Sequence, residues 1–572
     1  MAAPESRTVD SVFNDLARQP LLQNSLSLLG PGITWYDTDG DGDEDLLIPS
    51  GQGGRLSLFR NDNGGLQAVS IEAGTTQYDQ TTVLGIPGEG GGTVLLVGQS
   101  NYTAATSNDA LAVPGVLGLD MTGREASVRS VVPGARSSVG PLALADYDGD
   151  GDLDLFVGGR VIPAAYPVAA SSRFYLNEGG RFELDETNSS KLSSVGLVSS
   201  AVFSDVDVDG DPDLLLAVEW DALKLLTNEG GEFTEGEESS VFNTYKSRWI
   251  GIATGDLNED GHPDIVATSW GRNTEYSVSV TRPLFLYYAD FDRDGKLDLV
   301  EAQFEEERQA VFPLESFTRI KNAMPQVQQR IQTHMAYADA TMDEIFGAQL
   351  ETAERVDATS FDHMLFLSRD GTFEATPLPP EAQFAPSSYA GIADFDGDGH
   401  EDVFLTQNLF TTEMEMPRYD AGRGLILKGD GSGQLWPVPG QVSGIEVYGD
   451  QRGAAYADYN NDGRIDLVVS QNGAATKLYR NDGTTPGIRV RLVGTTSNPH
   501  VVGAMVGLMY GDRRGPVREV QAGSGYWSQN GALQVLGRNR TPTGVWVRWP
   551  GGGEVQVPVE PGQREVVVRI NR

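Results

Sequence analysis

The sequence predicts an all-β fold, a β-propeller followed by a small second β-domain, and three observations carry that reading. An acidic motif, Asp-x-Asp/Asn-x-Asp-Gly-x-x-Asp, recurs seven times along the 572 residues. Each copy sits between two short apolar runs, as in "LALADYDGDGDLDLFV", so each reads strand, tight loop, strand. Most copies are followed by an apolar pair and an Asn/Gly turn ("FYLNEGGRF", "LLTNEGGEF", "LYRNDG"), which reads as a third strand turning into a fourth. Four short strands per repeat at near-regular spacing are the pattern of propeller blades.

In chain order, residues 1–30 form an N-terminal segment expected to close the ring, with "TVDSVFNDL" at 8–16 supplying a strand to the last blade. The propeller spans 31–486. One blade is disguised: "TVLGIPGEGGGTVLLVG" at 82–98 aligns without a gap to 142–158, with Ile86, Gly88, Gly90 and Val94 where the others carry ligand residues. Counting it gives eight repeat starts, so eight blades are expected. Seven is the alternative, because the 34-residue step from Asp256 to Asp290 is short for four strands. Residues 313–356 are rich in helix formers and contain a capping box, Thr341 with Glu344, predicting a helical insertion. Past Asn481 the acidic loops stop, and alternating segments such as "GIRVRLVG" and "GVWVRWPGG" predict a separate β-domain over 487–572.

Such a loop asks for a cation. Calcium takes six to eight hard oxygens, and side chains at positions 1, 3, 5 and 9 with the position-7 carbonyl can supply them. The glycine at position 6 permits the turn. The expected ligand sets begin with Asp37, Asp39, Asp41, Asp43 and Asp45, then Asp146, Asp148, Asp150, Asp152 and Asp154, then Asp205, Asp207, Asp209, Asp211 and Asp213. They continue with Asp256, Asn258, Asp260, His262 and Asp264, and with Asp290, Asp292, Asp294, Lys296 and Asp298. The last two are Asp394, Asp396, Asp398, His400 and Asp402, and Asp458, Asn460, Asp462, Arg464 and Asp466. Position 7 is Asp, His, Lys or Arg, the indifference a backbone ligand predicts. An EF-hand would need a glutamate at position 12 on a second helix; position 12 here is apolar in every copy but one, Glu301, and lies inside a strand. About seven calcium ions are therefore expected.

Composition narrows the partners. A net charge of −39, from 81 acidic and 42 basic residues, argues against nucleic acid or an anionic membrane surface. The absence of cysteine excludes disulfides, thiolate metal sites and cysteine nucleophiles. No run reaches membrane-spanning length, so no membrane insertion is expected.

The repeated loop resembles the FG-GAP (VCBS-type) repeat of integrin α-subunit propellers and bacterial secreted proteins. The segment "RVRLVGTTSN…GAMV…REVQAGSGYWSQN…VWVRWPGG" is similar to the ASPIC/UnbV domain. Together these resemblances imply a calcium-stabilised propeller, extracellular or periplasmic, with an adhesion or binding role and a C-terminal domain open to assembly. They imply no reaction.

The calcium loops join strands 1 and 2, so the loops from strand 2 to strand 3 gather at the opposite end. There Asn101, Tyr102, Trp220, Trp270, Arg272, Asn273, Tyr276 and Asn408 are expected to form a polar–aromatic platform for a protein or carbohydrate ligand. "GSGYWSQN" at 523–530 reads as interdomain packing. No His-Glu-x-x-His, Gly-x-Ser-x-Gly or phosphate-cradling loop occurs, so a catalytic role is not indicated. The alternative is a lectin or a lyase-type polysaccharide enzyme, for which Arg272 with Tyr276 is the local pair to test.

Overall fold

Seven antiparallel sheets stand around a central axis, each built from strands consecutive in the ring. The computed structural model describes residues 13–570 apart from 72–73, 122–125, 237–239, 370 and 414. Blade 1 comprises Thr34–Tyr36, Asp45–Ile48, Ser57–Arg60 and Gln67–Val69. Blades 2, 3 and 4 follow over 80–132, 138–185 and 197–235, and blades 6 and 7 over 390–438 and 450–479. The first strand of each blade lies beside that of the next, and the strand Asp450–Ala457 of blade 7 returns to Thr34–Tyr36 of blade 1, closing the ring.

The strands form in this order of burial because of their composition. Ser138–Ala145 and Leu197–Ser204, nearest the axis, are buried along their whole length. A strand covered on both faces reads as a continuous apolar run rather than an alternating one. The outermost strand Gln67–Val69 is exposed throughout. Apolar clusters between adjacent blades, such as Ala143, Phe156, Phe174, Phe203, Leu214 and Phe233, fill the wedges.

Three expectations are corrected. The ring has seven blades, not eight. Blade 5 is split: Ile252–Gly255 and Asp264–Ala267 pair onward with Met364–Arg369 and Thr372–Pro377, and the intervening chain leaves the ring. That excursion holds a sheet of its own, Leu284–Ala289, Asp298–Glu305, Ala310–Pro313 and Glu354–Ala358, which carries the 290–298 loop outside the ring. The short Asp256-to-Asp290 step is thus an interruption after two strands. The helices expected at 313–356 form as short turns within this larger insertion, among them Met342–Phe346 with the Thr341/Glu344 capping box.

The third correction concerns closure. Blade 7 has three strands among the described residues. Residues 13–16 add no strand to it, since Asp15–Arg18 is a helical turn; residues 8–12 lie outside the described residues. The Asp15 carboxylate instead accepts from Leu26 N, Ser27 N and Ser27 Oγ, folding the segment on itself. Residues 18–28 then cross the face opposite the acidic loops. Arg18 donates to Tyr102 O, Gln19 to Tyr166 O (2.9 Å), Arg248 to Asn24 (2.8 Å) and Ser25 N to Thr411 O (2.8 Å). Closure comes from direct packing of blade 7 on blade 1, with this strap laid across the top.

The C-terminal domain has two small sheets. Ile488–Val493 lies between Gln534–Leu536 and, in parallel, Glu565–Arg569; Met505–Tyr510 pairs with Gly544–Arg548. Val490, Val506, Val545, Val547 and Val566 make its core. Its segment 522–530 enters the propeller axis, with bridges from Leu144 to Ala522, Ile252 to Gly525 and Thr34 to Gln529. Tyr526 and Trp527 stack there at 4.9 Å, Trp527 Nε1 donating to Ser199 O and the Tyr526 hydroxyl to Leu29 O in the strap. Gly525 sits at φ +65° against the Tyr389 ring, where a Cβ would be both strained and blocked.

Candidate metal centres

The acidic loops of the six ring blades that carry one lie at one end of the propeller, while the 290–298 loop lies in the insertion, where Gln19 of the strap reaches Leu297 O; the loops are held open by their own backbone. At position 1, the carboxylate accepts from the glycine amide at position 6: Asp205 from Gly210 N (3.1 Å), Asp256 from Gly261 N (3.1 Å), Asp290 from Gly295 N (3.0 Å), Asp394 from Gly399 N (2.8 Å). These glycines have φ between +88° and +113°, the left-handed region that turns the amide inward.

Position 9 is a staple. Asp45, Asp154, Asp213, Asp264, Asp298, Asp402 and Asp466 are all buried. In the ring blades each accepts from the first amide of the same blade's strand 3–4 turn, for example Asn177 N to Asp154 and Asn228 N to Asp213 (2.8 and 2.9 Å). Most also accept from the position-2 amide, as from Val206 N (3.0 Å) and Leu257 N (2.8 Å). The aspartate therefore joins the acidic loop to the far side of its blade. Its burial pushes the carboxyl of Asp154, Asp213, Asp264, Asp402 and Asp466 up to about 8, and Asp256 and Asp394 at position 1 to about 7.

The residues fit a hard divalent cation. Carboxylate oxygens converge within 4.8 Å of one another in Asp37/Asp39/Asp41, Asp146/Asp148/Asp154, Asp205/Asp207/Asp213, Asp290/Asp292/Asp294 and Asp394/Asp396/Asp402. Buried Oδ1 atoms of Asp146, Asp205 and Asp256 have no hydrogen-bond partner among the described residues. Such orphaned acceptors cost free energy unless something positive meets them. Three position-7 side chains turn to other partners: Asp152 and Asp211 accept from Gly179 N and Gly230 N of the strand 3–4 turn, and His400 Nδ1 meets Glu259 at 2.5 Å, whereas Lys296 and Arg464 pair with Asp294 and Asp462 of their own loops. In the disguised blade the same places are apolar, with Ile86 paired opposite Val94 and both buried. Gly88 N to Gly92 O (2.7 Å) closes that turn.

Three segments match the FG-GAP-like repeat model, residues 146–216, 205–267 and 394–469, and residues 494–571 match the ASPIC and UnbV model. The chain carries FG-GAP-like repeats and an ASPIC/UnbV domain. Among solved structures it is similar to the BP39L lectin from Burkholderia pseudomallei at 10% identity, covering 80% of this chain and 100% of that one, TM-score 0.41. It is also similar to the V. cholerae biofilm matrix protein Bap1 (13% identity, 93% and 92% covered, TM-score 0.30) and to rhamnogalacturonan lyase YesW (12%, 85% and 92%, TM-score 0.27). No curated protein matches.

The ASPIC/UnbV domain docks on the FG-GAP-like loops themselves. Arg548 reaches Asp205 (3.2 Å), Arg489 reaches Asp458 (2.8 Å), and Val517 N donates to Asp256 (3.0 Å), so the position-1 carboxylates of three blades are shared with the domain. Two position-8 glutamates also bind it: both carboxylate oxygens of Glu401 accept from Arg518 Nη2 (2.7 and 2.9 Å) and Glu44 accepts from Ala532 N and Leu533 N. Sequence reasoning missed this role, along with two others. Lys428 stands against Asp396 and Asp398 of the sixth-blade loop. The turn asparagines join blades, Asn61 donating to Tyr459 O, Asn228 to Tyr147 O and Asn481 to Phe395 O. Their signal was present in the repeated Asn of "NEGG", read only as a turn.

On the opposite face the expected platform is not an open surface. Asn101, Tyr102, Trp220, Trp270 and Asn408 are buried, Tyr276 is half-buried, and only Arg272 and Asn273 are exposed. Trp270 packs against Arg248, whose guanidinium lies 4.0 Å from its ring, and against Tyr276 and Tyr419. Arg248 and Arg160 close on Glu219, which they hold down at about 2. Arg272 makes two bonds to Asp362 (2.7 and 2.8 Å), and the Tyr276 hydroxyl donates to Glu301 (2.7 Å).

Proposed function

We propose that the protein is an extracytoplasmic, calcium-stabilised propeller that acts by binding, as an adhesion or scaffold protein, with its ligand on the face away from the acidic loops. The observation that carries this is the orphaned, buried carboxylate oxygens inside loops whose backbone already fixes their shape. Calcium, about one ion for each of the seven loops, supplies the missing positive partner. At the ring loops that meet the C-terminal domain, the metal fastens rather than reacts. The axis is filled by 522–530 from one side and crossed by the strap from the other, which leaves the outer part of the far face for a ligand. Arg272 and Tyr276, the pair a lyase would use, are each engaged in the fold, which favours binding over cleavage. No helix among the described residues is long and apolar enough to cross a membrane.

Binding should be tested on arrays of glycans and of extracellular proteins, with calcium and with EGTA. Saturable, calcium-dependent binding to members of one class supports the reading. Turnover of a polysaccharide without retained binding, or binding to neither array, overturns it.

A further inference from the structure

We infer that a groove on the far face between blades 5, 6 and 7 is a binding site for a neutral saccharide, an inference that deepens the ligand-binding reading and rests on it. Three connections meet there: 378–389 linking blades 5 and 6, the loop 406–424 of blade 6, and 439–449 linking blades 6 and 7. The groove has a volume of about 510 Å³, within the roughly 300–1,000 Å³ of small-molecule sites. Two aromatic rings stand in its walls, Phe384 at 48% exposure and Tyr448 at 62%. Most other aromatic side chains of this propeller are buried.

The site is built rather than incidental. Asn408, buried at φ +85°, accepts from Gly422 N (2.8 Å) and donates to Gly422 O (3.0 Å) and Gly449 O (3.1 Å), so one amide ties the 406–424 loop to the residue after Tyr448. Gln407 accepts from Arg423 N (3.1 Å), fixing the next residue of the same loop. A Cβ at Gly422 would run into the Gln407 side chain, and glycine keeps the floor low. The carboxylates of Glu381 and Asp420 line the rim, exposed, and among the described residues no ion pair or hydrogen bond engages either side chain.

A pyranose presents an apolar C–H face and a rim of hydroxyls. Rigid aromatic walls take the first, and free carboxylates accept from the second, with little ordering required on binding. The charge selects against a uronate. Two unpaired carboxylates face a single Arg423, which already contacts Gln441 (3.3 Å), on a chain of net charge −39. A folded protein partner would need about 800 Å² of surface with an apolar centre, whereas here the two rings are set among carboxylates.

The test uses the full chain in calcium, titrated with cellohexaose, xylohexaose, mannohexaose and laminarihexaose, with hexagalacturonate as the charged control. The expected result is binding of a neutral hexasaccharide that weakens about tenfold or more in Phe384→Ala or Tyr448→Ala and weakens in Asp420→Asn, with the melting temperature unmoved. Both aromatic positions are exposed, so the variants leave the core intact. Preference for hexagalacturonate overturns the assignment. So does neutral-sugar binding that survives the double aromatic variant; in that case the ligand-binding reading stands and only the site falls. Binding of proteins but no saccharide also removes this site alone, whereas silence on both arrays removes the broader reading.

Discussion

At the scale of single residues, the position-9 aspartates do two things at once. They present a carboxylate to the loop centre and accept amides from the opposite turn. Asp154→Asn keeps the size but loses the charge, and should lower bound calcium by one equivalent, measured by calorimetry or metal analysis. Lys428 does the reverse, placing an ammonium on two carboxylates of the sixth-blade loop. Lys428→Gln should tighten calcium binding at that loop, because a competing cation is gone; unchanged titration curves would count against the shared site. His363 offers a pH test away from the metals. It is buried, accepts from Ser269 N through Nδ1 (2.9 Å), donates through Nε2 to Ala385 O (3.0 Å), and is pushed down to about 4 by burial. The unfolded chain gains a proton below about 6.5 that the folded one refuses, so stability falls as pH drops from there towards 4, by up to about 1.4 kcal/mol per pH unit. Replacing His363 by Gln should flatten that part of the pH–stability curve.

Among elements, the ASPIC/UnbV domain is held by buried ion pairs and by a segment threaded into the propeller axis. Glu401 and Arg518 are both nearly inaccessible. Arg518→Met leaves Glu401 charged without its partner and should destabilise by about 3–5 kcal/mol, while the double variant with Glu401→Gln should recover much of the loss in denaturant unfolding. Trp527 fills the axis beneath the strap. Trp527→Ala should cost about 3–5 kcal/mol. It should also loosen the domain, read as faster proteolysis near residue 487.

For the whole molecule, the acidic loops of the ring blades and the domain seated on them form one end of the fold. Without a cation, carboxylates of these loops stand a few ångströms apart beside a covering domain. EGTA should therefore lower the melting temperature markedly, with propeller and C-terminal domain unfolding in one transition, and calcium should restore it. Calorimetry resolving two independent transitions would argue against that coupling. The disguised second blade shows the principle in reverse. Where Ile86 and Val94 replace carboxylates, contact between side chains holds the hairpin and no cation is required.

The sequence by itself determined the repeat, the loop chemistry, the disguised hairpin and the two-part organisation. Each of these is local: a strand–loop–strand unit carries its own pattern, and the ligands of one loop lie within nine residues. What only the tertiary structure decided is non-local. The seven acidic loops do not map one to one onto the seven blades, since the loop of 290–298 has left the ring and the disguised one has joined it. The short step from Asp256 to Asp290 marks the interruption, but nothing in the motif spacing says that residues 252–267 pair with 364–377 across it. The fate of Trp220 and Trp270 was likewise illegible, because polar and aromatic residues at a loop suit a buried network around Arg248 and Glu219 as well as an open platform. Burial there is set by a strap of N-terminal chain arriving from far away in sequence, and no local pattern encodes what covers it.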